Sequence, residues 1–409
     1  MRMRLALLTH EPFFPPTGGG SAEAVYLARE FVRRGHEVHV FSPPAEDPVR
    51  VESELGVRLH PFTRWEMGRY TRLRNVKYLL YPGRLARMVE QAAAQSPFDV
   101  VLSQHAISAV AAGRLKRRLG VPVVMNFLDY LTAFMETWPV WLMPPPVLAA
   151  LKRYELALPA RFKADGVLTV SDVLAERFEK AGYERRRIRS LYYGYDAAAF
   201  RFDESVAAAR SAGPPTVVMH GSFDHHHLGP IARGAIQRVQ AERPEVGFRF
   251  VGRRTPALEG LVRGLAARGG GRPVECTGFI PYTEVARELA TATVGMVPYE
   301  ESTGVHCAFV AKAVEYLGLG LPTVSTPLEG LRRYFHDEPL IRFGGFDGDR
   351  LGDEILGWLK EPSERRLEWG RRASERVARN LDWPILAAAA ADFVEAAAGP
   401  PQNGGSRPD

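Results

Sequence analysis

Val310-Ala-Lys312-Ala-Val-Glu315-Tyr-Leu-Gly-Leu-Gly320-Leu-Pro322-Thr-Val-Ser325-Thr-Pro327 is the stretch that decides the reading of this 409-residue chain. Ala311–Leu319 has helical spacing, Gly320-Leu-Pro322 turns the chain, and Thr323–Ser325 is a short strand. Lys312 falls in the first helical turn, where unpaired backbone N–H groups and the helix dipole favour an anion such as a diphosphate. Glu315, one turn on, faces the same way and can accept hydrogen bonds from two ribose hydroxyls. The plainer reading is an amphipathic helix with a solvated Lys/Glu pair.

On either side of this stretch, short β-like runs alternate with helical patterns. In the first half the strands are Arg4–Leu8, His36–Phe41, Asp99–Leu102, Val121–Asn126 and Val167–Val170. Helices fall at Ser21–Arg34 and Ala109–Leu119, and a Pro/Gly loop runs to Gly20. The rhythm breaks near Tyr192–Phe200 and restarts. Strands then fall at Thr216–His220, Phe248–Val251, Val274–Thr277 and Val294–Pro298, with helices at Ile231–Glu242, Glu259–Arg268 and Tyr282–Ala290. Two successive α/β halves joined by a linker follow from this pattern, with ligands expected in a cleft that strand C-termini and helix N-termini face.

Composition narrows the function. Hydrophobic residues make up 46% and charged residues 24%, as in a globular protein with a large core. Two cysteines, Cys276 and Cys307, exclude a disulfide framework and a cysteine-rich metal site. The N-terminal apolar run is cut short by Thr9 and His10, so it reads as a buried strand rather than a signal segment, and no membrane span is expected. A cytoplasmic protein fits, with possible contact at the inner face of the membrane. The net charge of +6 suits anionic ligands or acidic lipid and is too weak to argue for nucleic acid.

The segments resemble, in order from about residue 4 to 396, the retaining GT-B glycosyltransferases, a group with many bacterial polysaccharide and lipid glycosyltransferases. Lys312-x-x-Glu315-Tyr-Leu-x-x-Gly320-x-Pro322 looks like their donor-binding helix. Leu5–Gly20 and Arg34–Phe41 resemble the opening strand, glycine loop and second strand. Asp165–Ser171 and Leu191–Phe200 resemble the segments that lead into the interdomain linker. Cys276-Thr-Gly278-Phe279-Ile280-Pro resembles the base-binding strand, and Leu381-Asp-Trp383 the tryptophan before the last helix.

The resemblance implies an α/β protein of the GT-B fold, two Rossmann-like doubly wound domains facing a cleft. The acceptor domain is expected over 1–192 and the nucleotide-sugar domain over 193–383, with a C-terminal helix at about 384–398 packing back on the first and a disordered tail at 399–409. It implies transfer of a sugar from a UDP- or GDP-type donor to an unidentified glycan, lipid or small-molecule acceptor, with retention and without metal or other cofactor. Glu315 then binds the ribose and Lys312 approaches the diphosphate. Gly278 and Phe279 lie near the base, whose edge the backbone of Phe279 and Ile280 reads. Gly18, Gly19 and Gly20 let the backbone approach the donor sugar and phosphates.

The chain departs from the pattern in three places. A second glutamate, eight positions before the ribose one, is here Cys307, which puts it beside the donor sugar. The usual arginine and lysine after the first strand of the second domain are here Ser222 and roughly His227. Tyr193 replaces the linker asparagine.

Other residues stay open between a functional and a structural part. On an extended chain His225, His226 and His227 point to alternate sides and make a poor tetrahedral metal site. His105 is the candidate catalytic residue, in the sense of a side chain beside the reacting sugar; the alternative is a structural histidine. His10 and Glu11 are similar candidates, and Glu23 is either a contact or a helix-start carboxylate. Arg64–Arg87 and Phe127–Val147 mix basic and aromatic residues, which fits an anionic bilayer as well as a core with a solvated face. An epimerase on the same fold, and a degenerate protein that holds a partner without catalysis, are the rival readings.

Overall fold

The apolar runs form two separate parallel sheets. The structure, a computed structural model, describes residues 2–16, 19–62, 74–269 and 271–399, apart from the side chains of residues 74–79, 212 and 283. Among the described residues the first sheet holds β1 (Arg4–Leu8), β2 (Glu37–Ser42), β3 (Arg58–Pro61), β4 (Val100–Gln104), β5 (Val123–Phe127), β6 (Gly166–Thr169) and β7 (Ile188–Ser190), in the order β3-β2-β1-β4-β5-β6-β7. The second holds β8 (Thr216–His220), β9 (Gly247–Val251), β10 (Glu275–Gly278), β11 (Val294–Val297), β12 (Thr323–Ser325) and β13 (Ile341–Phe343), in the order β10-β9-β8-β11-β12-β13. The protein is therefore α/β, with two Rossmann-like doubly wound sheets. Helices cover both faces of such sheets, so β4 and β5 are buried at every position, and each opens on an apolar triplet, Val100-Val101-Leu102 and Val123-Val124-Met125.

In each sheet the strand order reverses once, between β1 and β4 and between β8 and β11. The crevice at the strand C-termini beside such a reversal is where this architecture takes ligands. The residues that follow β1, β4, β8 and β11 are thus the ones to inspect.

The chain divides into two compact units. The first is 1–132, 145–192 and 384–409; the second is 133–144 and 193–383. The sequence reading runs the first domain unbroken to 192, whereas 133–144 groups with the second unit. The reason is local. Glu136 accepts hydrogen bonds from Thr303 N at 2.6 Å and Thr303 Oγ1 at 2.8 Å, and Phe134 fills the space a side chain at Gly304 would need. On the first unit's side, buried Glu155 accepts from Leu131 N, Thr132 N and Thr132 Oγ1, which fixes the chain just before it leaves. In the second unit the two linker passes lie side by side: Tyr195 N bonds to Leu381 O, Trp383 N to Tyr195 O, and Tyr193 meets the Trp383 ring edge-on.

The helix Trp383–Ala398 closes the first unit. Arg34 Nη1 pairs with Asp392 at 2.7 Å and Glu395 at 3.0 Å, His36 Nε2 lies 3.0 Å from Glu395, and Phe393 packs against bare Gly166. Among the described residues no helix is long and apolar enough to cross a membrane. The expected tail beyond Gly399 lies outside them, as do Arg64, Trp65, Arg69, Tyr70 and Arg72 of the basic-aromatic segment.

Two local expectations are corrected. The strand expected over Asp99–Leu102 runs on through Ser103 and Gln104, which continue β4 paired with Met125 and Asn126 of β5, so His105 opens the next helix directly. Gly19 and Gly20 are not loop residues but the first turn of the helix Gly19–Arg33. Glu23, in that helix, is no surface dipole partner. It is 1% exposed, and burial drives its carboxyl up to about 8 against the Asn126 amide that hydrogen-bonds it, with Asp129 adding to the rise. A carboxyl raised in the folded state gives stability below its unfolded value of about 4.5 that is lost as pH climbs through 8. Glu23→Gln should therefore raise the unfolding midpoint at pH 8.5 by roughly 5–10 °C, an ionisation cost of a few kcal/mol, and by much less at pH 5. Melting curves across that range test this; a gain that does not grow with pH would contradict it.

Candidate functional site

In the second unit β8 ends at His220, and Gly221, at φ 98, turns the chain away. Glu315 comes from the helix Ala311–Gly318 and is 6% exposed. His220 Nε2–H donates to Glu315 Oε2 at 2.5 Å, and the Tyr282 hydroxyl donates to Oε1 at 3.1 Å. Burial pushes the Glu315 carboxyl up. The field and hydrogen bond of His220, the Tyr282 bond and Lys312 together outweigh it and hold the group below the ordinary carboxylate range, so it is ionised at neutral pH. Tyr316 supports His220 from beneath, its hydroxyl 3.1 Å from Nδ1. Its ring packs against Gly295 of β11; a Cβ there would stand 2.5 Å from the ring.

Lys312, half-buried in the first turn of the same helix, donates to the Tyr299 hydroxyl at 3.1 Å. A Cβ on Gly221 would lie 3.3 Å from its Nζ, so the ammonium sits over the turn after β8. Tyr299 also meets His227, with ring centroids 4.6 Å apart. Glu315, His220, Gly221, Lys312, Tyr299 and His227 thus form one continuous polar strip at the strand C-termini beside the β8/β11 reversal. A carboxylate acceptor at one end and an ammonium at the helix N-terminus suit a ribose and a diphosphate.

The histidine run is a turn and not an extended chain: His227 N and Leu228 N both bond to Asp224 O. This brings His226 and His227 side by side, centroids 3.8 Å apart, and gathers ligating atoms of Asp224, His226 and His227 within 4.8 Å of one another. Asp224 N–H, however, donates to His227 Nδ1 at 3.2 Å. A neutral imidazole that accepts there carries its proton on Nε2 and offers a metal no lone pair. The arrangement leaves two metal donors and a ring fixed against Tyr299.

Ser222 follows Gly221 and is half-buried. Gly278, at φ 76, ends β10, and the chain passes through Phe279 and Ile280 to Tyr282, whose hydroxyl reaches Glu315; this brings the expected base-reading segment up to the Glu315 carboxylate. The Phe279 ring is 60% exposed, with the Arg253 guanidinium 4.8 Å above it. Cys307 ends the short helix Thr303–Cys307 and is fully buried.

In the first unit the corresponding place lies between β1 and β4. His10 and Glu11 follow β1, and His105 follows β4 with φ 63, a left-handed conformation that costs a non-glycine residue about 1–2 kcal/mol. His105 is 7% exposed, meets His10 edge-on at 5.0 Å, and its Nε2 lies 3.9 Å from Glu11 Oε2. Gly20 is required here, because a Cβ would stand 2.8 Å from Glu11 Oε2 and 3.0 Å from His105 Nε2. Its missing side chain thus makes room for protein side chains. Gly19 begins the same helix, and Gly18 lies outside the described residues.

Sequence reasoning missed His220, Tyr282 and Tyr299. His220 had a signal: a histidine closing the otherwise apolar run Val217-Val218-Met219 just before a glycine. The tyrosines had none.

Residues 18–194 match the family profile of the glycosyl transferase 4-like domain, and residues 214–360 that of the glycosyl transferases group 1. No curated protein matches the chain at a significant level. Among solved structures, sucrose-phosphate synthase from Thermosynechococcus elongatus is similar with a TM-score of 0.77 at 18% identity, over 96% of this chain and 98% of that one. HepE from Anabaena in complex with UDP and glucose gives 0.71 at 15% identity, over 95% and 98%. WaaG, a glycosyltransferase of lipopolysaccharide biosynthesis, gives 0.65 at 17% identity, over 95% and 99%. At such identities the likeness to these structures speaks for the fold.

Proposed function

The chain belongs to the GT-B glycosyltransferases, and we propose that it transfers a hexosyl group from a UDP-type nucleotide sugar to an acceptor in glycan, glycolipid or cell-surface polysaccharide synthesis, with retention and without a metal. The observation that carries this reading is Glu315, a buried ionised carboxylate at the mouth of β8, one helical turn from Lys312. Glu315 takes the ribose. Lys312 and the first-turn N–H groups of its helix stabilise the charge that gathers on the departing diphosphate. A uridine donor is supported by HepE, whose structure holds UDP.

A thermal-shift panel of UDP, GDP, ADP and TDP with their common sugars tests the reading, since a ligand that binds only the folded state raises its midpoint. UDP and one UDP-sugar should shift the protein by several degrees, and EDTA should leave turnover unchanged. No shift with any nucleotide would favour the degenerate, partner-holding protein instead, for which buried Cys307 and the missing arginine at Ser222 are the observations. A sugar isomerised rather than transferred would favour the epimerase.

The same reading puts the protein at the inner face of the membrane, close to a lipid-borne acceptor. Its support is the exposed tip Val140, Trp141 and Leu142, where the Trp141 side chain is 82% exposed. Trp141→Glu should abolish co-sedimentation with anionic vesicles without lowering UDP affinity; equal sedimentation of wild type and variant would remove the membrane from the proposal.

A further inference from the structure

Both oxygens of Glu315 are engaged, and by two different kinds of partner. His220 is 7% exposed, ends β8, meets the Tyr316 ring edge-on at 5.2 Å, and holds Oε2 at 2.5 Å. Tyr282 is 40% exposed, begins the helix Tyr282–Ala290, and reaches Oε1 at 3.1 Å. A buried, shape-locked donor at short distance stays where it is. A part-exposed phenol at the end of a longer bond gives that bond up more readily, because water replaces it, although its ring also meets Phe200 at 5.2 Å.

We propose that His220 is a positioning residue that fixes the Glu315 carboxylate, and that the Tyr282 hydroxyl is a placeholder which a ribose hydroxyl displaces from Oε1. This rests on Glu315 being the ribose-binding group. His220 occupies Oε2, so the carboxylate cannot rotate and Oε1 presents its lone pairs toward the Tyr282 side. Without a bound sugar, Tyr282 satisfies that oxygen and spares a buried carboxylate an unmet acceptor. With a sugar, the ribose hydroxyl takes the same place with its geometry already set, so little ordering remains for the binding step. His220 acts on the ribose only through Glu315 and touches no reacting atom.

The test is a double-difference experiment with UDP and 2′-deoxy-UDP on the full-length protein, read by calorimetry. Wild type should bind 2′-deoxy-UDP about tenfold more weakly than UDP, the worth of one hydrogen bond to a charged acceptor. His220→Leu should bind UDP about tenfold more weakly and discriminate less than threefold, because an unfixed carboxylate serves neither nucleotide well. His220→Gln, whose amide N–H can replace Nε2–H, should restore most of the discrimination and guards against a leucine variant that folds poorly. Tyr282→Phe should bind UDP about threefold more tightly, since no hydroxyl must leave.

Full discrimination in His220→Leu would overturn the positioning role, and weaker UDP binding by Tyr282→Phe would make Tyr282 a contact rather than a placeholder. If wild type itself fails to distinguish the two nucleotides, the ribose assignment of Glu315 falls and this inference with it. If wild type discriminates and His220→Leu does so equally, the ribose assignment stands and the inference alone is lost.

Discussion

Glu315→Ala should lower the affinity for UDP by about a hundredfold while the protein stays folded. Removing the carboxylate takes away the charge-assisted hydrogen bonding to the ribose, about 3 kcal/mol. The substitution also leaves His220 and Tyr282 without their acceptor. Tyr282 can turn to water, but buried His220 cannot, so a destabilisation of about 1–2 kcal/mol should accompany the loss. Glu315→Gln separates the two effects: it keeps the shape and one acceptor and should fall between wild type and alanine in affinity. Calorimetric titration at a temperature well below the midpoint decides the matter. An alanine variant within threefold of wild type would remove the ribose from Glu315.

His105→Ala should lower turnover by about a hundredfold and leave UDP affinity unchanged. Glu315 and Lys312, the groups proposed to hold the nucleotide, belong to the second unit, whereas His105 belongs to the first. A side chain that positions the reacting sugar contributes on this scale. His105 holds φ 63 although it is not a glycine, and strain of this kind persists where a function requires the side chain. Glycine relieves that strain, so His105→Gly should be at least as stable as wild type and equally poor in turnover. UDP release from the donor sugar measures the rate. Unimpaired release in both variants would return His105 to a structural part beside His10 and Glu11.

Much of the fold was legible because parallel strands and their helices differ in period. Arg4–Leu8, Thr216–His220, Thr323–Ser325 and the helix Tyr282–Ala290 stand where the pattern puts them, to the residue. The helix Pro145–Phe162 was illegible: it opens on two prolines, tolerated in a first turn, and holds a third at Pro159, which local rules forbid. β7 and β13 are three residues each and carry Arg189 and Arg342 at their centres, so neither shows an apolar run. The site was legible where one element carries two groups, as with Lys312 and Glu315. It was not where residues meet across the fold, since His220 lies 95 residues from Glu315 and Glu136 lies 167 from Thr303. The histidine turn was misjudged for a related reason: Asp224, not the histidines, bends the chain.

The way the chain is divided bears on how it can be made. It crosses between its two units after 132, 144, 192 and 383, so neither unit is a continuous run of the polypeptide. On the ribosome, the first seven strands emerge long before the helix that covers Gly166 and pairs with Arg34 and His36. At ordinary elongation rates of ~5–20 residues per second, roughly 200 further residues keep that face bare for ~10–40 s. Residues 133–144 likewise wait for Thr303 and Gly304 to be translated. The nascent protein must carry two unfinished cores at once, and a helix translated after the whole of the second unit completes the first.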